Sequence, residues 1–317
     1  MKAANRFVPA EGANATVTVD GKSVSLTNLD KVFWPELGLT KRDLLSYYER
    51  VAPAVLPHVE GKPMVMKRYP NGIHDEFFFM KRAPAGRPEW IRTCDIPHGR
   101  GSIISFPIVE DTASLLWLVN LGCIDLNPWY FSCDAIDHPD YVHFDLDPHE
   151  GAPWTMVLEA SLILRDALEH LGMKPYVKTT GNDGMHIYVG IVRGPTQHEV
   201  WEFAKMLGFE LAKAHPDILT AEYKIAKRPH GRVLVDYNQN SFGRTLASIY
   251  SPRPNVFAGV STPLEWSEIE KGCKPEDFTM MTVPQRIDKI GDLWAPLEKQ
   301  RGRFDLMRLM NGSRAAG

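Results

Sequence analysis

The sequence predicts a mixed α/β fold built around a split βαβ sheet, and three observations carry that prediction. Segments such as "ATVTVDG" and "YVHFDLD" alternate polar and apolar residues with the two-residue period of a strand. Segments such as "LLSYYERVAPAV" and "VWEFAKMLGFELAKAH" follow a capping signal and are long enough for several helical turns. Between Tyr141 and Tyr237 the two kinds follow one another as strand, helix, paired strands, helix and strand, the order of a split βαβ unit with helices on one face.

Each element has a local reason. "ATVTVDG" and "SVSLT" read as strands from their alternation and β-branched residues. Thr40 with Asp43 resembles a capping box and opens the first helix, Thr155 precedes "MVLEASLILRDALEHLG", which Gly172 closes, and Thr196 with Glu199 opens the third. "YVKTT", "GMHIYVGIV" and "RVLVDYN" are rich in β-branched residues and complete the strands. No internal repeat, low-complexity tract or long linker interrupts the chain, and the closing "NGSRAAG" reads as a frayed tail.

Composition removes several classes. The 317 residues are 44% hydrophobic and 24% charged, as in soluble globular proteins, and no apolar run reaches the roughly eighteen residues of a membrane span. The N-terminus lacks the apolar core of a signal peptide, so a cytoplasmic location is expected, and no membrane partner. Cys94, Cys123, Cys133 and Cys273 show neither C-x-x-C pairing nor zinc spacing, which predicts reduced structural thiols. A formal net charge of −3 argues against a uniformly basic nucleic-acid binder. The charge is uneven, however: Gly61 to Glu110 holds eight Lys/Arg against five Asp/Glu, and Ala221 to Arg253 six against two. Either stretch could be a solvated face or could meet a polyanion, and charge alone does not choose.

The strand "YVHFDLD" sends Val142, Phe144 and Leu146 to one face and His143, Asp145 and Asp147 to the other. Two carboxylates on one face repel unless a cation or an arginine lies between them, and oxygen ligands at this spacing suit Mg²⁺ or Mn²⁺. The same D-x-D spacing occurs in exposed strands and turns, so more carboxylate is needed. Asp236 in "RVLVDYNQN" is the third, on the face opposite Val233 and Val235. Three carboxylates on neighbouring strands would hold two cations across a triphosphate, the arrangement that stabilises both attacking and leaving oxygens in phosphoryl transfer. The alternative for Asp236 is an exposed residue paired with Arg232 or Arg244.

Between these strands "VKTTGNDGMHIYVGI" supplies a turn with Gly181 and Gly184, where backbone N–H groups and Thr180 could cradle phosphates, and His186 follows on the open face. Gln239, Arg244 and Arg253 follow Asp236, and Lys224, Lys227 and Arg228 precede it. Cations thus surround the proposed anion site.

In this order "HFDLDP", "TTGNDGMHIYV" and "VDYNQNS" resemble the polymerase domain of bacterial ligase D, a member of the archaeo-eukaryotic primase superfamily. The likeness extends through "LTNLDKVFWPELGLTKRDLLSYYERVAPAVLPHVEGKP", "KRYPNGIHDEFFFMKRAP" and "LGCIDLNPWY", from about Ser25 to Asp292. There is no ligase K-x-D-G motif, and the chain is similar to stand-alone relatives of the Prim-PolC type. The resemblance implies a primase-polymerase fold with an RRM-like catalytic sheet, flanked by helices and a second sheet. It implies an N-terminal extension over 1–24, a catalytic domain over 25–295 and a tail over 296–317.

For the site, the resemblance implies Asp145, Asp147 and Asp236 as ligands of two Mn²⁺ or Mg²⁺ ions, Asp236 also helping to activate a primer 3′-hydroxyl. Thr180, His186 and Arg253 become triphosphate contacts, joined by Asn127, Arg228, Gln239 and Arg244 in the nucleotide site. Lys67 becomes a sugar or phosphate contact, and Phe78 or Phe79 a stacking platform that tolerates any base. Read without the family, "EFFFM" is a core strand. Asn28, Lys31 and Lys41 match a pocket for the downstream 5′-phosphate, and otherwise are surface residues. Lys41 would lie in a first helical turn, where the helix dipole disfavours a cation unless an anion binds. Three departures stand out: Asn127 where ligase D has His, Asp183 where a Lys is common, and Thr180 where Ser is usual.

The expected function is a template-dependent nucleotidyltransferase, a DNA polymerase and primase using NTP or dNTP with ribonucleotides preferred. It would fill short gaps or extend primer ends at breaks during excision repair or end joining. Its expected partners are DNA with a downstream 5′-phosphate and a separate ligase, at the nucleoid. The competing classes are a metal-dependent nuclease, whose cations would activate water, and a non-catalytic DNA-end binder.

Overall fold

The computed structural model of the chain describes residues 6–99, 101–299 and 301–315. The chain divides into two compact units, one of Met1–Asp134, Ala247–Ser261 and Phe278–Asp292, the other of Ala135–Leu246, Thr262–Asp277 and Leu293–Gly317. Both mix helices and strands, and several separate sheets are present, as the sequence predicts. Among the described residues, no helix is long and apolar enough to cross a membrane.

The first unit begins with the two predicted strands, Ala15–Val19 and Lys22–Leu26, paired as a hairpin. Asp20 and Gly21 take φ values of 50° and 75°, the two left-handed residues that a tight hairpin turn requires and that Asp-Gly supplies. The helix Lys41–Val59 starts at the predicted Thr40–Asp43 capping box and buries Leu44, Tyr48, Val51 and Val55 along one stripe. A three-stranded sheet of Phe78–Met80, Met64–Arg68 and Cys123–Pro128 follows, in that order. The expectation of four reduced thiols is corrected here: Cys94 and Cys133 form a disulfide, and Cys123 and Cys273 are the free thiols. Cys94 lies on the Thr93–His98 strand and Cys133 in the segment after the Cys123–Pro128 strand, a meeting across 39 residues that cysteine spacing does not encode.

The second unit holds a six-stranded sheet in the order Leu219–Thr220, Val233–Asp236, Tyr141–Pro148, Met185–Gly190, Tyr176–Thr179 and Pro263–Leu264. Its four middle strands are all antiparallel and run fourth, first, third, second in chain order, the split βαβ topology expected from the sequence. The helices Trp154–His170 and Gln197–Ala214 both pack on the Tyr141–Pro148 strand. Gly208 lies against Val235, where an added Cβ would sit 3.5 Å from the Val235 side chain, so the helix-covered face is the apolar face of the alternation. Thr196 caps its helix as predicted. The other start moves by two positions: Pro153, not Thr155, occupies the N-cap, and the helix begins at Trp154. Proline's fixed φ suits that boundary without a side-chain cap. Gly172 closes this helix in a left-handed conformation with φ 78°.

Candidate active site

The open face of the split sheet is a ladder of polar side chains. Asp236 pairs with Asp145, Asp145 with His186, and His186 with Lys178, so four residues from four strands form one row across the sheet. Direct cross-strand partners share a face, and the alternation that buries Phe144, Ile187 and Val235 sends this row to the other side. Asp147 stands two residues along from Asp145 on the same strand, opposite Leu234.

These positions gather the three predicted carboxylates, with ligand oxygens all within 4.8 Å of one another. Asp145 and Asp236 are buried. The negative charge of Asp145 is the first cause that pushes the Asp147 carboxyl up to about 8, followed by burial and the charges of Asp236 and Asp183, against a smaller opposing effect of Arg228. Burial also raises Asp236, opposed by hydrogen bonds from Asn238 N–H and the Gln239 side chain and by Arg244 and Arg228. An acidic cluster strained by its own repulsion, offering only oxygen donors, fits a hard divalent cation. Manganese and magnesium both meet that description.

Local backbone fixes Asp236. The strand ends there, and the carboxylate caps the turn Tyr237–Asn240, accepting from Asn238 N at 2.9 Å and from Gln239 Nε2 at 3.1 Å. Asn240 bridges to the backbone of His143 in both directions, accepting from its N–H at 3.2 Å and donating to its carbonyl at 2.7 Å. That clamp holds the turn beside the strand carrying Asp145. His143 itself is fully buried and stacked on Tyr188, and burial, reinforced by His186, pushes its imidazole down to about 3.

The predicted phosphate turn has a different internal order from that expected. Thr180 Oγ1 accepts from Asn182 N at 3.1 Å and from Gly184 N at 3.2 Å, so the hydroxyl engages N–H groups that the sequence reading assigned to phosphate. Gly184 is required sterically, since a Cβ there would lie 2.7 Å from the Leu146 carbonyl and 3.5 Å from Asp147 Oδ1. His186 Nε2 lies 3.1 Å from Asp145 Oδ1. Sequence reasoning missed Lys178, which reads as one more polar residue of an alternating strand yet is fully buried with its Nζ 2.5 Å from His186 Nδ1.

A cleft of about 600 Å³ opens beside Pro148, lined in part by Glu150, Asp183, Glu276 and Lys274. Its acidic balance makes it a poor seat for a triphosphate.

The remaining predicted nucleotide residues belong to the other unit. Lys67 and Phe79 are cross-strand partners, as are Arg68 and Phe78. Phe79 therefore shares the Lys67 face, and Phe78 points to the opposite one, where the Arg68 guanidinium lies 5.1 Å from its ring. Lys67 Nζ stands 4.4 Å from the Phe77 ring and 5.9 Å from the Phe79 ring, and all three phenylalanines are exposed. Phe77 was not expected in this cluster. Asn127 is buried and donates to the Asp125 carbonyl at 3.2 Å. Asp125, also missed because it lies in an apolar strand, is buried with Arg253 Nε 3.8 Å from its carboxylate. Its charge favours protonated Lys67, although burial leaves that ammonium lowered overall.

Asn28, Lys31 and Lys41 also lie in this unit. Asn28 adopts a left-handed φ of 55° and donates its N–H to Asn14 Oδ1. Lys31 reaches Asn71. Lys41 is the first residue of its helix and buried, with Nζ donating to the Thr27 carbonyl at 2.7 Å. Burial first, then the charges of Lys31 and Arg68, push its ammonium down to about 8. Arg68 is thus a third cation beside the predicted pair.

Trios of carboxylates on the open face of a split sheet serve the nucleotidyl-transferring polymerases, and comparison with known proteins sets the chain in that class. A family model described as LigD, primase-polymerase domain, matches residues 40–294. The chain belongs to this ligase D primase-polymerase family. It is 32% identical over 279 residues to the multifunctional non-homologous end joining protein LigD of Mycolicibacterium smegmatis, covering 87% of this chain and 36% of that protein. It is 29% identical over 270 residues to the bifunctional non-homologous end joining protein LigD of Bacillus subtilis, covering 84% of this chain and 43% of that protein. The chain thus spans well under half the length of these relatives. The structure of the polymerase domain from Mycobacterium tuberculosis ligase D in complex with DNA matches with a TM-score of 0.82 at 29% identity, covering 87% of this chain and 98% of that chain.

Proposed function

We propose that the protein is a template-dependent primase-polymerase that fills short gaps or extends primer ends at DNA breaks, in excision repair or end joining, with ribonucleotides preferred. The observation that carries this reading is the self-repelling trio Asp145, Asp147 and Asp236 on the open sheet face. The residues 25–295 are its catalytic module, flanked by an N-terminal extension and a C-terminal tail.

The three carboxylates would hold two Mg²⁺ or Mn²⁺ ions, which supply charge neutralisation and a more acidic 3′-hydroxyl when bound. Asp236, anchored through Asn238 and Gln239, receives the proton of the primer 3′-hydroxyl as its oxygen bonds to the α-phosphorus of the nucleotide. The bond from the α-phosphorus to the bridging oxygen breaks in the same transfer, and pyrophosphate leaves. On the split-sheet unit Thr180, His186, Gln239, Arg228 and Arg244 receive the triphosphate, and on the other unit Phe79 stacks a base on the face of Lys67, with Asn127 and Arg253 as its further polar contacts. Asp183, in place of a lysine, weakens the hold on phosphate from its turn. Asn28, Lys31 and Lys41 receive a downstream 5′-phosphate and direct the enzyme to gaps at the nucleoid, and a separate ligase would close the nick.

A labelled primer-template with Mn²⁺ and nucleotides tests the reading. Lengthening of the primer is the expected outcome, whereas shortening would make the protein a nuclease and an unchanged primer would leave a DNA-end binder.

A further inference from the structure

We infer that Lys178 is a positioning residue that fixes the ring proton of His186 on Nε2 and so presents this histidine to the site as a hydrogen-bond donor. The inference rests in part on the polymerase reading above, which says what the donor serves, but the tautomer itself does not depend on it.

The argument starts from burial. Lys178 has no exposed surface, although its strand partner on the far side is Pro263, which offers no polar side chain. An ammonium held away from water is costly unless its donors are used. The register supplies the use: Lys178 stands directly opposite His186, and its Nζ reaches His186 Nδ1 at 2.5 Å. A lysine ammonium has three donors and no acceptor, so Nδ1 must be the accepting nitrogen. A neutral imidazole with one accepting nitrogen carries its proton on the other. That other nitrogen, Nε2, lies 3.1 Å from Asp145 Oδ1, at the carboxylate cluster.

Two chemical consequences follow. With its lone pair replaced by a proton, Nε2 cannot ligate a cation, so His186 stays outside the all-oxygen ligand set of Asp145, Asp147 and Asp236. The same N–H stands beside the carboxylate cluster as a donor for a substrate phosphate oxygen. The row Lys178, His186, Asp145 therefore passes a fixed orientation from a buried cation at one side of the sheet to the middle of the site, as an outer partner fixes the tautomer of a functional histidine.

Nitrogen-15 correlation spectra of the intact protein, without metal or nucleotide, test this directly, with the His186 ring signals assigned by their loss in His186→Asn. The expected result is the Nε2–H tautomer in wild type, a mixture or the Nδ1–H tautomer in Lys178→Met, and return of Nε2–H in the donor-only Lys178→Arg. In primer extension, Lys178→Met should lower kcat by about tenfold, the loss expected for one misdirected hydrogen bond, with a smaller change in KM for the nucleotide. An Nδ1–H tautomer in wild type, or Nε2–H retained in Lys178→Met, overturns the inference, and Lys178→Leu gives the same reading where Lys178→Met fails to fold. If Nε2–H is present in wild type and lost in Lys178→Met but wild type extends no primer, the polymerase reading fails and the positioning role of Lys178 stands.

Discussion

Asp145 and Asp236 stand directly opposite each other on adjacent antiparallel strands, both buried. Like charges at such a pair of positions destabilise a sheet, and here Asp147 adds a third. A fold that keeps this arrangement sacrifices stability for a function, and cation binding is the chemistry that relieves it.

The strain has a pH signature. The folded Asp147 carboxyl is raised to about 8 from an ordinary value near 3.8, so the folded state binds the more protons across that interval. Stability then falls as pH rises from about 4 to about 8. Thermal melts of the metal-free protein should show Tm lower at pH 8 than at pH 5 by at least about 3 °C, a change of roughly 1 kcal/mol in a chain of this size. Saturating Mn²⁺ should remove most of the difference, because it binds the deprotonated cluster. A metal-free Tm that rises over this range would contradict the strained cluster.

The 5′-phosphate pocket proposed at Asn28, Lys31 and Lys41 predicts substrate choice. A gapped duplex with a downstream 5′-phosphate should be bound and filled better than the same duplex with a 5′-hydroxyl, and Lys31→Ala with Lys41→Ala should erase that difference while primer extension on an open end persists. Each lost phosphate contact should reduce the slope of log affinity against log salt by about one. Because free Lys41 loses its proton near pH 8, the preference for phosphate should weaken as pH rises through that value. Equal filling of the two duplexes by wild type would remove the pocket.

Register separates two adjacent phenylalanines. Phe79 shares the face of Lys67, and Phe78 does not. Phe79→Ala should raise KM for the incoming nucleotide by roughly 5- to 150-fold, the range of about 1–3 kcal/mol for base stacking, with little dependence on base. Phe78→Ala should have the smaller effect. The reverse order in steady-state kinetics would assign the platform to Phe78.

The split sheet was legible because it repeats simple local rules. Alternation in "YVHFDLD" and "RVLVDYN" placed the three carboxylates on the polar face, and capping boxes at Thr40 and Thr196 marked two helices. What stayed hidden depends on pairing between distant strands. Lys178 alternates like a solvent-facing residue, yet it is fully buried, opposite His186 on one side and Pro263 on the other. Asp125 lies in an apolar strand whose neighbours give no warning of the Arg253 beside it. Cys94 and Cys133 meet across 39 residues of chain, and Phe78 and Phe79 could be told apart only once Lys67 had a partner.

The central claim is that the trio of carboxylates transfers nucleotides, and primer extension by Asp145→Ala and Asp236→Ala beside wild type tests it most directly. Wild type should lengthen a labelled primer in Mn²⁺, and each variant should lose at least about a thousandfold in rate while still shifting the same DNA in a binding gel. Full extension by either variant, or a wild type that shortens the primer, would contradict the account.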